Sequence, residues 1–339
     1  MLWIAFAICF LGNWSPLGAV LGTLAFGLPL FIIAIGGIFS ERSGVTNLAL
    51  EGFMGAGAFT GALVAVIVMQ KTGMSSSATM WIALLAAAFG GALFSALHAL
   101  LCVYLRADMV ISGVVMNILS TALTAFLVTT INDKVFRVGA TGKFHIGIAG
   151  KFTIPYLSKI PFIGGLFTDV YYYEILIIVI AALMYVVLYK TKFGLRLRAC
   201  GEFPQAADSA GVNVYHVRFI SVLISGALSG IGGLCLAYYL ITQFDAKLFY
   251  LGYGYLSISA LIFGGWKIIP TLGACMLFSF VKYFALWFAT LPGINLSSVV
   301  TSTLFQALPY IITLVALIFF SKSNKAPAAL GEIYDKGKR

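Results

Sequence analysis

The residues able to do chemistry in this chain are few, and they gather in two polar interruptions of an otherwise apolar sequence. The first is Ser40-Glu41-Arg42-Ser43-Gly44-Val45-Thr46-Asn47-Leu48-Ala49-Leu50-Glu51-Gly52, with two carboxylates, an arginine, an asparagine and two glycines. Glycines let a helix unwind and polar groups there bind a solute, which is the look of a broken helix at a transport site. The competing reading is a cytoplasmic turn with Glu41 and Arg42 solvated at a span end, and for that pair both stay open. Asn47 and Glu51 lie further into the apolar run, where polar groups face a bundle interior or a water-filled path. With Asn117 they make the expected solute pathway; for Asn117 an interhelical hydrogen bond competes.

The second interruption is the connection 190–216, the long polar stretch between two apolar runs, with Gly194, Arg198, Gly201, Glu202, Pro204, Ala206, Ala207, Ala210 and Gly211 at its centre. Pro204 suits the first turn of a short helix and Glu202 suits the approach to its positive end. Ala206, Ala207 and Ala210 then fall together, three and four apart, and Gly211 suits the helix end. A short helix with a small-residue face fits a groove on another protein; a solvated loop is the competing reading.

Other chemistry is missing from the sequence. There is no G-x-x-x-x-G-K-[ST] phosphate loop, and 139–143 (Gly-Ala-Thr-Gly-Lys) has the wrong spacing. There is no H-E-x-x-H pair and no G-x-S-x-G elbow. His98, His145 and His216 are far apart, and Cys9, Cys102, Cys200, Cys235 and Cys275 are scattered mostly through apolar runs. The expectation is a chain with no catalytic site, no metal and no cofactor.

The elements that must position these groups follow from composition. Of 339 residues 61% are hydrophobic and 9% charged, with a mean hydropathy of +1.03. That excludes a soluble globular enzyme, whose charged share is about 25%, and disorder, which needs low hydrophobicity. The apolar runs are continuous rather than alternating, which excludes a β-barrel. Taking about 20 apolar residues per crossing, the spans read 18–39, 45–69, 81–105, 110–131, 173–189, 217–241, 253–266, 271–291 and 299–320. The stretch 253–266 is short, and whether 1–11 also crosses stays open; no A-x-A-like site follows it, so a retained start is expected. The fold class is thus an all-α polytopic membrane helix bundle of about 8–10 transmembrane helices with a cytoplasmic coupling helix. The net charge of +10 sits mainly in connections, a topology signal rather than a mark of nucleic-acid binding. With 190–218 cytoplasmic, thirteen Lys and Arg fall inside and seven outside, Lys282 lying within a span, which favours that orientation. The organisation is then a permease domain over 1–320, with an external loop at 132–172, and a cytoplasmic tail at 321–339. Small residues spaced four apart, Gly57 with Gly61 and Gly226 with Gly230, suit close helix packing.

The two interruptions together resemble the permease subunits of ABC-type importers of the sugar and nucleoside branch, with most similarity to the nucleoside uptake permeases linked to BMP-type lipoproteins. The first motif is similar to that family's from Phe39 to Gly52, and the second from Gly194 to Gly211; Ser112-Gly113 with Asn117, and Ser225 to Gly230 with Gly232-Gly233, resemble further family elements. Cys200 and the pair Trp266-Lys267 depart from the usual pattern. The resemblance implies a multi-pass subunit of the bacterial cytoplasmic (inner) membrane that is not itself an enzyme. It implies a cytoplasmic ATPase, a second permease subunit that is a different chain, and an extracytoplasmic substrate-binding lipoprotein. It assigns 198–211, with Arg198, Gly201, Glu202, Ala206, Ala207 and Gly211, to ATPase coupling. It implies a nucleoside-like solute, with a sugar or riboflavin as alternatives; an amide pairs with a base or ribose edge as donor and acceptor. From the residues alone an ion-coupled secondary transporter also stands, with Glu51 as its ion site.

Overall fold

The structure, a computed structural model, describes residues 16–156, 158, 167–240, 242–246, 249–288, 311 and 325–337. The expected span 299–320 and the apolar start 1–11 lie outside the described residues, apart from residue 311. Seven helices are long and apolar enough to cross a membrane. They are α1 (Pro16–Arg42), α2 (Leu50–Thr72), α3 (Ser76–Ala99), α4 (Met109–Ile131), α5 (Tyr172–Lys190), α8 (Val214–Leu240) and α10 (Ile268–Phe288). Between them lie the short helices α6 (Lys192–Glu202), α7 (Pro204–Ser209) and α9 (Tyr253–Phe263). The chain is an all-α, multi-pass membrane bundle.

Local signals set the ends. Ser75 accepts from the Ala78 N–H at the start of α3, and Asp108 accepts from the Ile111 N–H at the start of α4, each satisfying a first-turn donor. Gly73 ends α2 in the left-handed region. Single π-helical turns, Leu100–Tyr104 and Asn132–Phe136, continue α3 and α4.

α8 is the central helix and packs on α1, α2 and α3. The crossing of α2 and α8 is set by Gly57 and Gly230. A Cβ on either would fall inside contact distance of the other's Cα, and a Cβ on Gly57 would also meet the Ala87 carbonyl of α3. Small residues here bring backbone onto backbone, which replaces the hydrophobic drive that is missing inside lipid. α4 and α5 are the peripheral helices, with Ile111, Ile118, Phe126, Ile178 and Leu183 exposed along them.

The described part of 132–172 folds beside α2 against the segment that follows α8. Its β1 (Lys143–His145) pairs antiparallel with β4 (Gln243–Asp245), and β2 (Lys151–Phe152) with β3 (Val170–Tyr171). Phe144 and Phe244 face each other in the first register and are buried. The Lys143 ammonium pairs with Asp245 at 3.3 Å.

Two elements differ from the spans read in the sequence. The run 45–69 is not helical throughout: the chain leaves α1 at Arg42 and becomes helical again at Leu50. The stretch 253–266 is helical only over Tyr253–Phe263, eleven residues or about 16 Å. That is half of the about 30 Å hydrocarbon layer, so α9 is a half-helix. Gly252 and Gly264 bound it, the first in the left-handed region.

Candidate functional site

The site is built where the two interrupted elements meet. Helix α2 begins inside the bundle, which leaves its first-turn N–H groups without intrahelical partners. Asn117 on α4 supplies one: its Oδ1 accepts from the Gly52 N–H at 2.8 Å. Its Nδ2 donates to the Leu48 carbonyl at 2.8 Å and to the Tyr255 hydroxyl at 2.7 Å. Ser120, one turn further along α4, donates to the Gly52 carbonyl at 2.8 Å. So one amide holds the end of the broken segment, the start of α2 and the face of α9.

Glu51 does the reciprocal work for α9. Its Oε1 accepts from the Gly252 N–H at 2.8 Å, and its Oε2 accepts from the Gly254 N–H. A carboxylate at a helix N-terminus satisfies free donors and meets the positive end of the helix dipole. Gly254 leaves room for this, because a Cβ there would collide with the Glu51 backbone.

Glu51 and Asn117 share a cavity of about 490 Å³ with Ile118, Thr121, Tyr250 and Tyr255. Small-molecule sites commonly measure about 300–1,000 Å³ and are mostly apolar with a few placed polar groups. The Tyr250 hydroxyl is engaged with Ser120 and Thr124 at 2.8 and 3.0 Å. The Tyr255 oxygen accepts from Asn117, which leaves its O–H proton to donate into the space. Ile118, Thr121 and Tyr255 are exposed at the edge of the bundle, so the cavity opens sideways between α4 and α9.

The third residue of the expected pathway lies elsewhere. Asn47 is fully buried, donates from Nδ2 to Ser225 Oγ on α8 at 3.0 Å, and accepts from the Ala49 N–H at 3.1 Å. It does not line the cavity. Tyr255 and Tyr250 are the residues that the sequence reading missed. The available signal was their position beside Gly252 and Gly254, at the start of a run too short to cross.

At the end of α1, Glu41 and Arg42 are not solvated in the way a simple turn would leave them. Glu41 is buried and accepts from the Trp266 indole N–H at 2.5 Å, while the Arg42 Nε–H donates to the Trp266 carbonyl at 3.0 Å. The bulky Trp266 thus closes the end of the half-helix onto the end of α1. Trp266 has a φ of +53°, an uncommon conformation for a large side chain.

The connection 190–216 is two helices, α6 and α7, hinged at Phe203. Pro204 opens α7 and Gly211 follows it at φ +82°. Ala206 and Ala210 are exposed beside Phe203, but Ala207 is buried with Pro204. The three alanines therefore do not share one face: a six-residue helix turned one side inward places the fourth-residue pair outside and its neighbour inside. Arg198 turns back along α6, with its Nε–H donating to the Gly194 carbonyl at 3.3 Å. Gly201 packs against the Arg42 carbonyl, where a Cβ would not fit. Glu202 is exposed and pairs with Arg42 at 3.7 Å. Burial pushes the Cys200 thiol up to about 11 against the lowering effect of Arg218, so it stays protonated and unreactive at neutral pH.

Comparison with known proteins agrees with this architecture. The family model described as branched-chain amino acid transport system / permease component matches residues 24–319. The chain is 41% identical over 318 residues to the guanosine ABC transporter permease protein NupQ of Bacillus subtilis, covering 94% of this chain and 96% of that one. It is 40% identical to the nucleoside ABC transporter permease protein NupC of Lactococcus lactis, covering 94% and 97%. It is 30% identical to the putative glucose ABC transporter permease protein TsgC13 of Haloferax volcanii, covering 74% and 71%. No solved structure matches.

Proposed function

The chain belongs to the permease-component family of branched-chain amino acid transport systems, and from that premise we propose that it is one membrane half of an ATP-driven importer of nucleosides. The observation that carries the choice of solute class is the cavity between α4 and α9, taken with the guanosine and nucleoside permeases the chain is similar to. Two tyrosine rings flank it, a surface on which a base stacks. The Tyr255 hydroxyl and Thr121 offer hydrogen bonds to a base edge or a ribose.

The side opening of the cavity implies a partner. The exposed Thr121 and Tyr255 put polar groups against hydrocarbon, which is unfavourable, and a second permease subunit on α4 and α9 removes them from lipid. The solute then passes between the two subunits. The exposed side of α7, with Phe203, Ala206 and Ala210, is the surface for a separate cytoplasmic ATPase; the outer cap built on β1 and β4 is the surface for a solute-delivering lipoprotein. ATP binding moves α7, and the two states of the bundle differ in their affinity for solute, which limits how far the equilibrium can be driven.

The test is uptake of labelled guanosine into proteoliposomes that contain the chain with its companion permease, ATPase and lipoprotein, with glucose and riboflavin as unlabelled competitors. Inhibition by other nucleosides alone supports the reading. Inhibition by glucose would move the solute to the sugar class of the Haloferax relative.

A further inference from the structure

The described tail residues 325–337 lie as a strap across the cytoplasmic end of the bundle, with holds on several of its elements. The Ala329 N–H donates to the Gly201 carbonyl at 2.9 Å, and the Ala328 N–H to the Glu202 carboxylate at 3.4 Å, just before α7. The Gly331 N–H donates to the Gly44 carbonyl of the broken segment at 3.0 Å. Tyr334 is buried against Tyr215 at 5.1 Å, and Tyr215 stacks on Tyr104 at the end of α3. Asp335 pairs with Arg106 at 3.1 Å, and Lys336 reaches Asp208 on α7 at 3.9 Å.

Arg218 on α8 ties these holds together. Its side chain is 2% exposed, and no carboxylate lies within ion-pair distance of it among the described residues. Instead its Nε–H donates to the Ser43 carbonyl at 3.1 Å and its Nη1–H to the Glu332 carbonyl at 2.7 Å. Nη2 finds no hydrogen-bond partner among the described residues and lies against Gly44, where a Cβ would collide with it. A buried guanidinium with two rigidly forked donors fixes the relative positions of the two segments that accept from it, and losing either acceptor leaves the charge buried and under-satisfied.

We propose that the strap and Arg218 are the transmission between the ATPase-facing helix α7 and the solute cavity, a positioning role for the transport reaction that rests on the importer reading above. The strap holds Gly201 and Asp208 on either side of the start of α7, and it holds Gly44, three residues before Asn47 and seven before Glu51. Displacement of α7 is then carried through Gly201, at the end of α6, and the strap to the backbone that leads into the cavity. A direct contact, Gly201 on the Arg42 carbonyl, runs beside the strap, and the Arg42–Glu202 pair that accompanies it is long and exposed.

The experiment compares the assembled wild-type complex in proteoliposomes with complexes carrying a chain that ends at residue 324, Tyr334→Ala, Arg218→Lys and Arg218→Gln. Guanosine uptake and ATP hydrolysis are measured on the same vesicles. The expected result is that uptake per ATP falls about tenfold in the shortened chain and in Arg218→Gln, while hydrolysis stays within about twofold; Arg218→Lys and Tyr334→Ala lie between. The tail variants leave every bundle residue in place, so the test stands if Arg218→Gln fails to insert. An unchanged ratio in the shortened chain overturns the proposal. So does a parallel fall of uptake and hydrolysis, which is what a merely structural strap would give. A wild-type complex with no ATP-driven uptake fails the importer reading first, and this proposal with it.

Discussion

Removing the Tyr255 hydroxyl gives the sharpest test of the cavity. In Tyr255→Phe the Asn117 amide loses one acceptor at 2.7 Å but keeps Leu48 and Gly52, so the helix ends stay held. One hydrogen bond contributes about 1 kcal/mol net, and an equal loss toward the solute is about fivefold in apparent affinity. Asn117→Ala is a different perturbation. It leaves the Gly52 N–H and the Leu48 carbonyl without partners, at about 1–3 kcal/mol for each buried group. The assay is the initial rate of guanosine uptake against concentration in proteoliposomes, with the reconstituted amount fixed by immunoblot and unfolding followed in detergent. Tyr255→Phe is expected to raise KM about fivefold with the unfolding temperature lowered by about 2–4 °C, the scale of one hydrogen bond. Asn117→Ala is expected to lower both the maximal rate and the unfolding temperature. The double variant should fall short of the sum, by about 0.5–3 kcal/mol for residues in direct contact. A Tyr255→Phe protein at wild-type amount with unchanged KM would refute the assignment of this cavity to the solute.

Gly57→Val is expected to abolish accumulation of folded protein, because the branched side chain has no space between Gly230 and the Ala87 carbonyl; fluorescence-detected size exclusion reads this. Trp266→Phe removes the donor from buried Glu41 and should lower stability by about 1–3 kcal/mol, the cost of leaving a buried polar group unpaired, measured as a fall in unfolding temperature. Glu202→Ala breaks an exposed pair contributing about 0–1 kcal/mol, so the unfolding temperature should hold while uptake per ATP drops. Gly211→Pro forces a φ near −65° where the chain has +82°, and should likewise uncouple uptake from hydrolysis. Cys200 should remain unlabelled by a membrane-permeant maleimide at pH 7, since burial holds its thiol protonated.

Much of the bundle was readable because lipid imposes one rule: a crossing must be a long apolar helix that satisfies its own backbone. Six of the spans read in the sequence correspond to single long helices, and a seventh, 45–69, to the long α2. What was not readable is where that rule lapses. The break itself reads as a polar interruption over 40–52, but its extent does not: the expected span begins at Val45, since Val45, Leu48 and Ala49 are apolar, whereas bonds of Asn47, Asn117, Arg218 and the tail hold the backbone irregular up to Leu50. The half-helix α9 was visible as a run too short to cross, but its start at Glu51 depends on a contact 201 residues apart. Glu51 and Asn117 stood out as polar groups in apolar runs and do share the cavity. Tyr255 did not stand out, because a tyrosine at a span end is ordinary. Asn47 carried the same sequence signal as Asn117, yet its amide faces Ser225 inside the bundle; a periodic pattern cannot tell a helix-packing amide from a cavity-lining one. The grip of the tail on Gly44, Gly201 and Arg218 left no sequence trace at all, since four of its bonds use backbone groups of the strap.

The most direct test of ATP-driven nucleoside import is guanosine accumulation by the four-component complex, run with ATP, with a non-hydrolysable ATP analogue, and with proton and sodium gradients collapsed by ionophores. Accumulation that requires hydrolysable ATP and survives the ionophores is the predicted result. Accumulation by this chain without the ATPase, abolished by an ionophore, would contradict it and make Glu51 the site of ion coupling.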